Sequence, residues 1–119
     1  MKQSYKDLRV LKESIGLVTD IYKTTSGFPK EELYGLTSQM RRASISIPSN
    51  IAEGKGRHTN PEFKQFLIQA RGSLLELETQ IQISENLGFL DPIKSEELKS
   101  KASNVGKMLS GLIEAMVRK

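Results

Sequence analysis

The chain has no cysteine and no tryptophan, a single histidine (His58) and four prolines among its 119 residues. Without cysteine, neither a disulfide framework nor a thiolate metal site can form, so stability must come from packing. One histidine, with no HExxH or Glu-x-x-His pattern around it, excludes a metal centre built from several imidazoles. No apolar run approaches the roughly 20 residues of a membrane span, and Met1 to Ser4 does not open a signal peptide. These absences lead to the expectation of a soluble, cytoplasmic protein. At this length the chain suits one domain with a single core, spanning residues 1–119.

Helix formers such as Glu, Lys, Gln and Leu fill the polar positions, and β-branched runs are scarce, which predicts an all-α chain. Apolar residues recur at alternating spacings of three and four, the spacing that lines up one helix face. Leu8, Leu11, Ile15, Val18 and Tyr22 form the first stripe, and Leu33, Leu36, Met40, Ala43, Ile47 and Ile51 the second. Phe63, Phe66, Ala70, Leu74, Leu77 and Ile81 form the third, and Leu98, Ala102, Val105, Leu109, Leu112 and Met116 the fourth. The stripes predict helices over about 5–25, 31–54, 61–87 and 94–117. A second apolar set lies beside them and includes Val10, Leu17, Ile21, Ile45, Ala52, Ile68, Leu75, Ile83, Met108 and Ile113. It fits either the wide buried face of a globular bundle or an interface between subunits.

Turn signals separate the stripes. Ser26-Gly27-Phe28-Pro29 ends the first helix and Gly54 to Gly56 the second. Asn60 is a plausible N-cap before Pro61 and Glu62, Gly88 closes the third helix, and Asp91-Pro92 or Ser95 opens the fourth. Short connections favour antiparallel neighbours, hence an antiparallel up-down-up-down four-helix bundle. Pro48 falls inside the second helix, where a kink or a restart near Ser46 to Ser49 is expected, the kink being preferred because Ile47 and Ile51 keep phase.

The net charge is +4, and the window from Arg41 to Arg71 carries the whole excess: Arg41, Arg42, Lys55, Arg57, Lys64 and Arg71 against Glu53 and Glu62. Gathered on one end or side of the bundle, these groups would attract phosphate. The alternative is that one of the two adjacent arginines pairs with a carboxylate such as Glu53, Glu76 or Glu78, while the other points about 100° away on the helix. The GKGRH segment at 54–58 lacks the strand and the spacing of a phosphate-binding loop and reads as a basic turn. Ser44, Ser46 and Ser49 have no identifiable base, and the sequence gives no sign of an enzyme or of a cofactor.

Several segments together resemble a known family. YKDLRV, FPKEELYGLTSQMRRASISIPSNIAEGKGR, EFKQFLIQARGSLLELETQ and VGKMLSGLI resemble the four-helix-bundle proteins encoded in intervening sequences of bacterial 23S rRNA genes, over nearly the whole chain. One departure is Leu11, where many relatives carry tryptophan; the position stays apolar. The resemblance implies an antiparallel four-helix bundle that assembles into a ring, a homopentamer. It also implies similarity in fold to the accessory protein of diversity-generating retroelements, a basic pentameric barrel thought to bind nucleic acid and a reverse transcriptase. By motif, it directs attention to Arg41, Arg42 and Arg71, with Lys55, Arg57 and Lys64 as neighbours, and it brings no catalytic residue. Two functions are therefore expected: an oligomer that binds RNA or DNA backbone through these residues, or a structural adaptor whose partner is another protein.

Overall fold

A computed structural model of the chain describes residues 5–117, with side chains from residue 7 onward; Met1 to Ser4, read above as carrying no signal peptide, lie outside the described residues. Four α-helices make up the fold: α1 (Tyr5–Thr25), α2 (Leu36–Lys55), α3 (Asn60–Asn86) and α4 (Pro92–Val117). They pack as a closed square, α1 on α2, α2 on α3, α3 on α4 and α4 back on α1. Pairings along each seam establish the directions. Ser84 meets Met40, Ser73 meets Ser46 and Phe66 meets Gly54, so α2 and α3 run antiparallel. Ser95 meets Glu85 and Ser110 meets Arg71, so α3 and α4 do too. The chain is the all-α, up-down-up-down bundle that the stripes predict.

Most of the core follows the predicted stripes. Met40, Ala43, Ile47 and Ile51 of α2 are buried, as are Phe63, Ala70, Leu74, Leu77 and Ile81 of α3 and Leu98, Ala102, Val105, Leu109 and Leu112 of α4. Leu67, placed on no stripe above, is fully buried as well.

The first helix corrects its prediction. Val10, Leu17 and Ile21 face the core, whereas Leu8, Ile15 and Tyr22 of the expected stripe are 53%, 50% and 38% exposed. The buried face also carries Ser14 and Thr25, which made it look polar in the sequence. Their hydroxyls donate to the Leu11 and Ile21 carbonyls at 2.9 and 2.8 Å, so neither group is buried without a partner. The more apolar stripe is left on the outside.

Helix boundaries shift for identifiable reasons. α2 begins at Leu36, five residues later than about 31, because Lys30–Glu32 forms a separate 3-10 turn and the Glu32 carboxylate accepts the Leu36 N–H at 3.2 Å. Leu33, expected on the α2 stripe, falls before the helix and is 48% exposed. α2 runs through Pro48 without a restart. Two residues on, the Asn50 side-chain amide donates to the Ser46 carbonyl at 2.8 Å, and the Ser46 hydroxyl shares a 2.8 Å hydrogen bond with Ser73 of α3. Thr59, not Asn60, caps α3 by accepting the Glu62 N–H, with Pro61 in the first turn. Asp91 caps α4 by accepting the Lys94 N–H at 2.8 Å.

Gly88 has φ +81°, a conformation open to glycine at little cost. It lets Phe89 N–H reach the Ser84 carbonyl and Gly88 N–H the Glu85 carbonyl, closing α3 in a Schellman motif. Phe89 then lies 5.7 Å from the ring of Phe28, the other loop's buried aromatic. On the α3–α4 seam the Ser95 hydroxyl donates to the Glu85 carboxylate at 2.6 Å and Lys99 adds a 3.4 Å ion pair; both hold the Glu85 carboxyl below its ordinary pKa, Ser95 most.

Candidate nucleic-acid interface

The six basic residues of the Arg41–Arg71 window do not share one face. α2 and α3 are antiparallel, so the window runs down one helix and back up the next. Arg42 and Lys55 are about 20 Å apart along α2 at 1.5 Å per residue. Arg41 and Arg42 lie near the end that holds the α1–α2 and α3–α4 connections. Lys55, Arg57 and Lys64 gather at the opposite end, around the α2–α3 turn, and Arg71 lies midway up α3.

Each arginine has a distinct environment. Arg41 reaches across to the C-terminus of α1, where its Nε donates to Thr25 Oγ1 at 2.9 Å and a terminal nitrogen approaches the Tyr22 carbonyl at 3.4 Å. Its guanidinium carbon lies 4.5 Å from the centre of the Tyr22 ring. A cation at this point complements the negative end of the α1 dipole and stacks on an aromatic face, so Arg41 ties α2 to α1. The expected pairing of an arginine with Glu53, Glu76 or Glu78 is therefore corrected at Arg41: its partners are a hydroxyl, a carbonyl and a ring. Arg71 likewise bridges helices, donating to Ser110 Oγ of α4 at 3.3 Å.

Arg57 does meet a carboxylate. It pairs with Glu53 at 3.0 Å and lies 4.8 Å from the centre of the Phe66 ring. Both charged side chains are about half exposed, so the pair adds only about 0.3–0.5 kcal/mol, but it neutralises the arginine locally. Arg42 is exposed on the α2–α3 seam, in a groove of about 480 Å³ that Tyr34, Ser38, Ser46, Ser73 and Glu76 also line. Lys55 and Lys64 are half-buried. Arg42, Lys55 and Lys64 make no ion pair among the described residues.

Charge is nevertheless segregated along the bundle axis. The half formed by residues 5–15, 46–73 and 105–117 holds eight Lys and Arg against five Asp and Glu, and Lys2, Arg118 and Lys119 adjoin it in sequence with no acidic residue beside them. The other half, residues 16–45 and 74–104, holds seven basic against nine acidic residues. Three of the four ion pairs lie in that acidic half: Lys94–Glu97 at 3.3 Å, Lys99–Glu85 at 3.4 Å and Lys101–Asp20. Arg9 and Lys12 of α1 lie exposed in the basic half and were not among the sequence candidates. Antiparallel order was the signal for them, since it sets the first half of α1 beside the second half of α2.

No group of three or more His, Cys, Asp or Glu side chains among the described residues is placed to hold a metal ion. Of the serines around Pro48, two have structural partners: Ser44 donates to the Arg41 carbonyl and Ser46 bonds Ser73, while Ser49 is exposed. No helix among the described residues is long and apolar enough to cross a membrane.

Fold and surface together define a compact four-helix bundle with a basic end and an acidic end. Residues 6–111 match the family model described as 23S rRNA-intervening sequence protein, and the chain belongs to that family. Its fold is similar to the crystal structure of a protein of unknown function from the S23 ribosomal protein family of Bacteroides thetaiotaomicron, with a TM-score of 0.82 at 21% identity, covering 92% of this chain and 98% of that one. No curated protein matches the chain significantly.

Proposed function

We propose that the protein is a non-enzymatic, homo-oligomeric bundle, a ring of five as the family resemblance implies, that binds the phosphate backbone of RNA or DNA in the cytoplasm. The observation that carries this reading is the axial charge segregation. Lysines and arginines at the α2–α3 end outnumber carboxylates, and Arg9, Lys12, Lys55 and Lys64 there have no ion-pair partner among the described residues. A ring with its subunit axes aligned would repeat that end around one rim, and several weak phosphate contacts would then act together. Base reading is not part of the proposal. Phe63 is buried and Phe66 lies beneath Arg57, which leaves no aromatic platform in the window for stacking.

The test is charge reversal at each end, read by mobility shift of a structured RNA. Lys55→Glu with Lys64→Glu should abolish the shift with helicity intact, and Arg42→Glu should leave most of it. Equal loss in both variants would refute the basic end as the contact surface. The second reading, an adaptor whose partner is a protein, is favoured by the engagement of Arg41, Arg57 and Arg71 within the bundle. Wild-type protein that fails to shift RNA at low salt would select it.

A further inference from the structure

Two exposed apolar surfaces occupy different sides of the bundle. The first is the outer stripe of α1. Leu8, Ile15 and Tyr22 recur every seven residues and are 53%, 50% and 38% exposed, with Leu11 and Val18 half-buried between them. The stripe extends about 21 Å at 1.5 Å per residue. It borders α2, where Arg41 covers Tyr22 and Ile45 is 41% exposed. Lys12 and Lys23, both exposed and without an ion pair among the described residues, flank it.

The second surface is a groove of about 640 Å³ on the α2–α3 seam, at the acidic end. Leu36, Ile83 and Leu87 supply its apolar lining, Glu32 and Glu76 its charge, and Gln80 a buried polar group. Gln80 is only 7% exposed; its amide nitrogen approaches Glu76 at 3.4 Å, while its Oε1 is buried with no hydrogen-bond partner. From Glu76 to Leu87 the groove follows α3 for about 17 Å, commensurate with the α1 stripe.

We infer that the occupant of the α2–α3 groove is the α1 stripe of a second copy of the chain. The inference rests on the self-assembling part of the function proposed above. Apolar length matches apolar length, and Lys23 beside the stripe, in the same half of the bundle as the groove, meets the groove carboxylates Glu32 and Glu76. Within one copy the pairing is impossible, because α1 and α3 sit on opposite corners of the square. Since the two patches differ, the contact is head-to-tail. Such contacts generate closed rings or filaments rather than two-fold dimers.

The absence of native cysteine gives a direct test. Ile15→Cys and Ile83→Cys are surface variants, each introducing one thiol into a chain that has none. Mixed and exposed to a short bis-maleimide, they should cross-link to each other at least tenfold more than either does to itself. Predominant self-linking of Ile15→Cys would mean a symmetric α1–α1 contact and would overturn the head-to-tail pairing while leaving self-assembly intact. A monomeric mass for the wild-type protein in light scattering at about 100 μM would overturn both the pairing and the assembly it rests on. Ile83→Glu guards against a trivial failure. It should reduce the assembled mass to that of the monomer with unchanged helicity, and an unchanged assembled mass would also refute the groove.

Discussion

Gly54 offers a sharp test of the packing, because the structure predicts the sign of a glycine-to-alanine substitution there to be opposite to that at the open helical glycines Gly72 and Gly111. A Cβ built on Gly54 would stand 2.8 Å from Phe66 Cβ and 2.9 Å from Phe63 Cδ1. Phe66 Cβ is fixed to its own backbone and Phe63 is fully buried, so neither can step aside by a simple rotamer change. Alanine gains about 1 kcal/mol of helix propensity over glycine. Overpacking a rigid contact costs about 1–3 kcal/mol, and the backbone anchoring of Phe66 favours the upper end. Net destabilisation of about 2 kcal/mol is expected for Gly54→Ala. Gly72 and Gly111 have no atom within 4 Å of an added Cβ, so alanine there should stabilise by about 0.4–1 kcal/mol. At about 4 °C per kcal/mol for a domain of this size, thermal denaturation followed by circular dichroism should show Gly54→Ala lower by about 8 °C and Gly72→Ala higher by 2–4 °C. A Gly54→Ala protein as stable as Gly72→Ala would refute the close approach of α2 and α3.

Further outcomes follow from single residues. Leu17→Ala should cost about 2–5 kcal/mol in urea denaturation, since Leu17 rather than Ile15 faces the core; a loss below 1 kcal/mol would restore the sequence-based phasing of α1. Leu74→Ala, 2% exposed, should cost a similar amount by the same assay. Thr59→Ala removes the α3 cap and should lower stability by about 1 kcal/mol. Glu85 titrates below its ordinary value of 4.5 in the folded chain because of Ser95 and Lys99, so between the two values the unfolded chain binds more protons. Its stabilisation is full above 4.5 and is lost as pH falls through the lowered value; Ser95→Ala should flatten that acid limb of a stability-against-pH curve.

How much of this was legible in the sequence differs by element. α2, α3 and α4 were readable because their buried positions are apolar at helical spacing, as in Leu74, Leu77 and Ile81. α1 was not, because two faces competed and the winning one carried Ser14 and Thr25, whose hydroxyls satisfy themselves on carbonyls of the same helix. The start of α2 was missed because Glu32 and Gly35 break a stripe that continues in the sequence through Leu33. For the candidate site, composition revealed the basic excess but linear order misplaced it. A window that turns at Gly56 folds back on itself, and the neighbours that engage Arg41 and Arg71, namely Thr25 and Ser110, are distant in sequence. Only the antiparallel arrangement shows that Arg9 and Lys12 join the basic end while Arg41 and Arg42 leave it.

The central claim, that the basic end engages nucleic-acid phosphates, is tested most directly by fluorescence anisotropy of a labelled RNA duplex titrated with wild-type protein at several salt concentrations. The account predicts binding at low salt whose logarithm falls linearly with the logarithm of salt concentration, with a slope of about −0.9 for each phosphate engaged. Absence of binding at the lowest salt, or binding indifferent to salt, would contradict it.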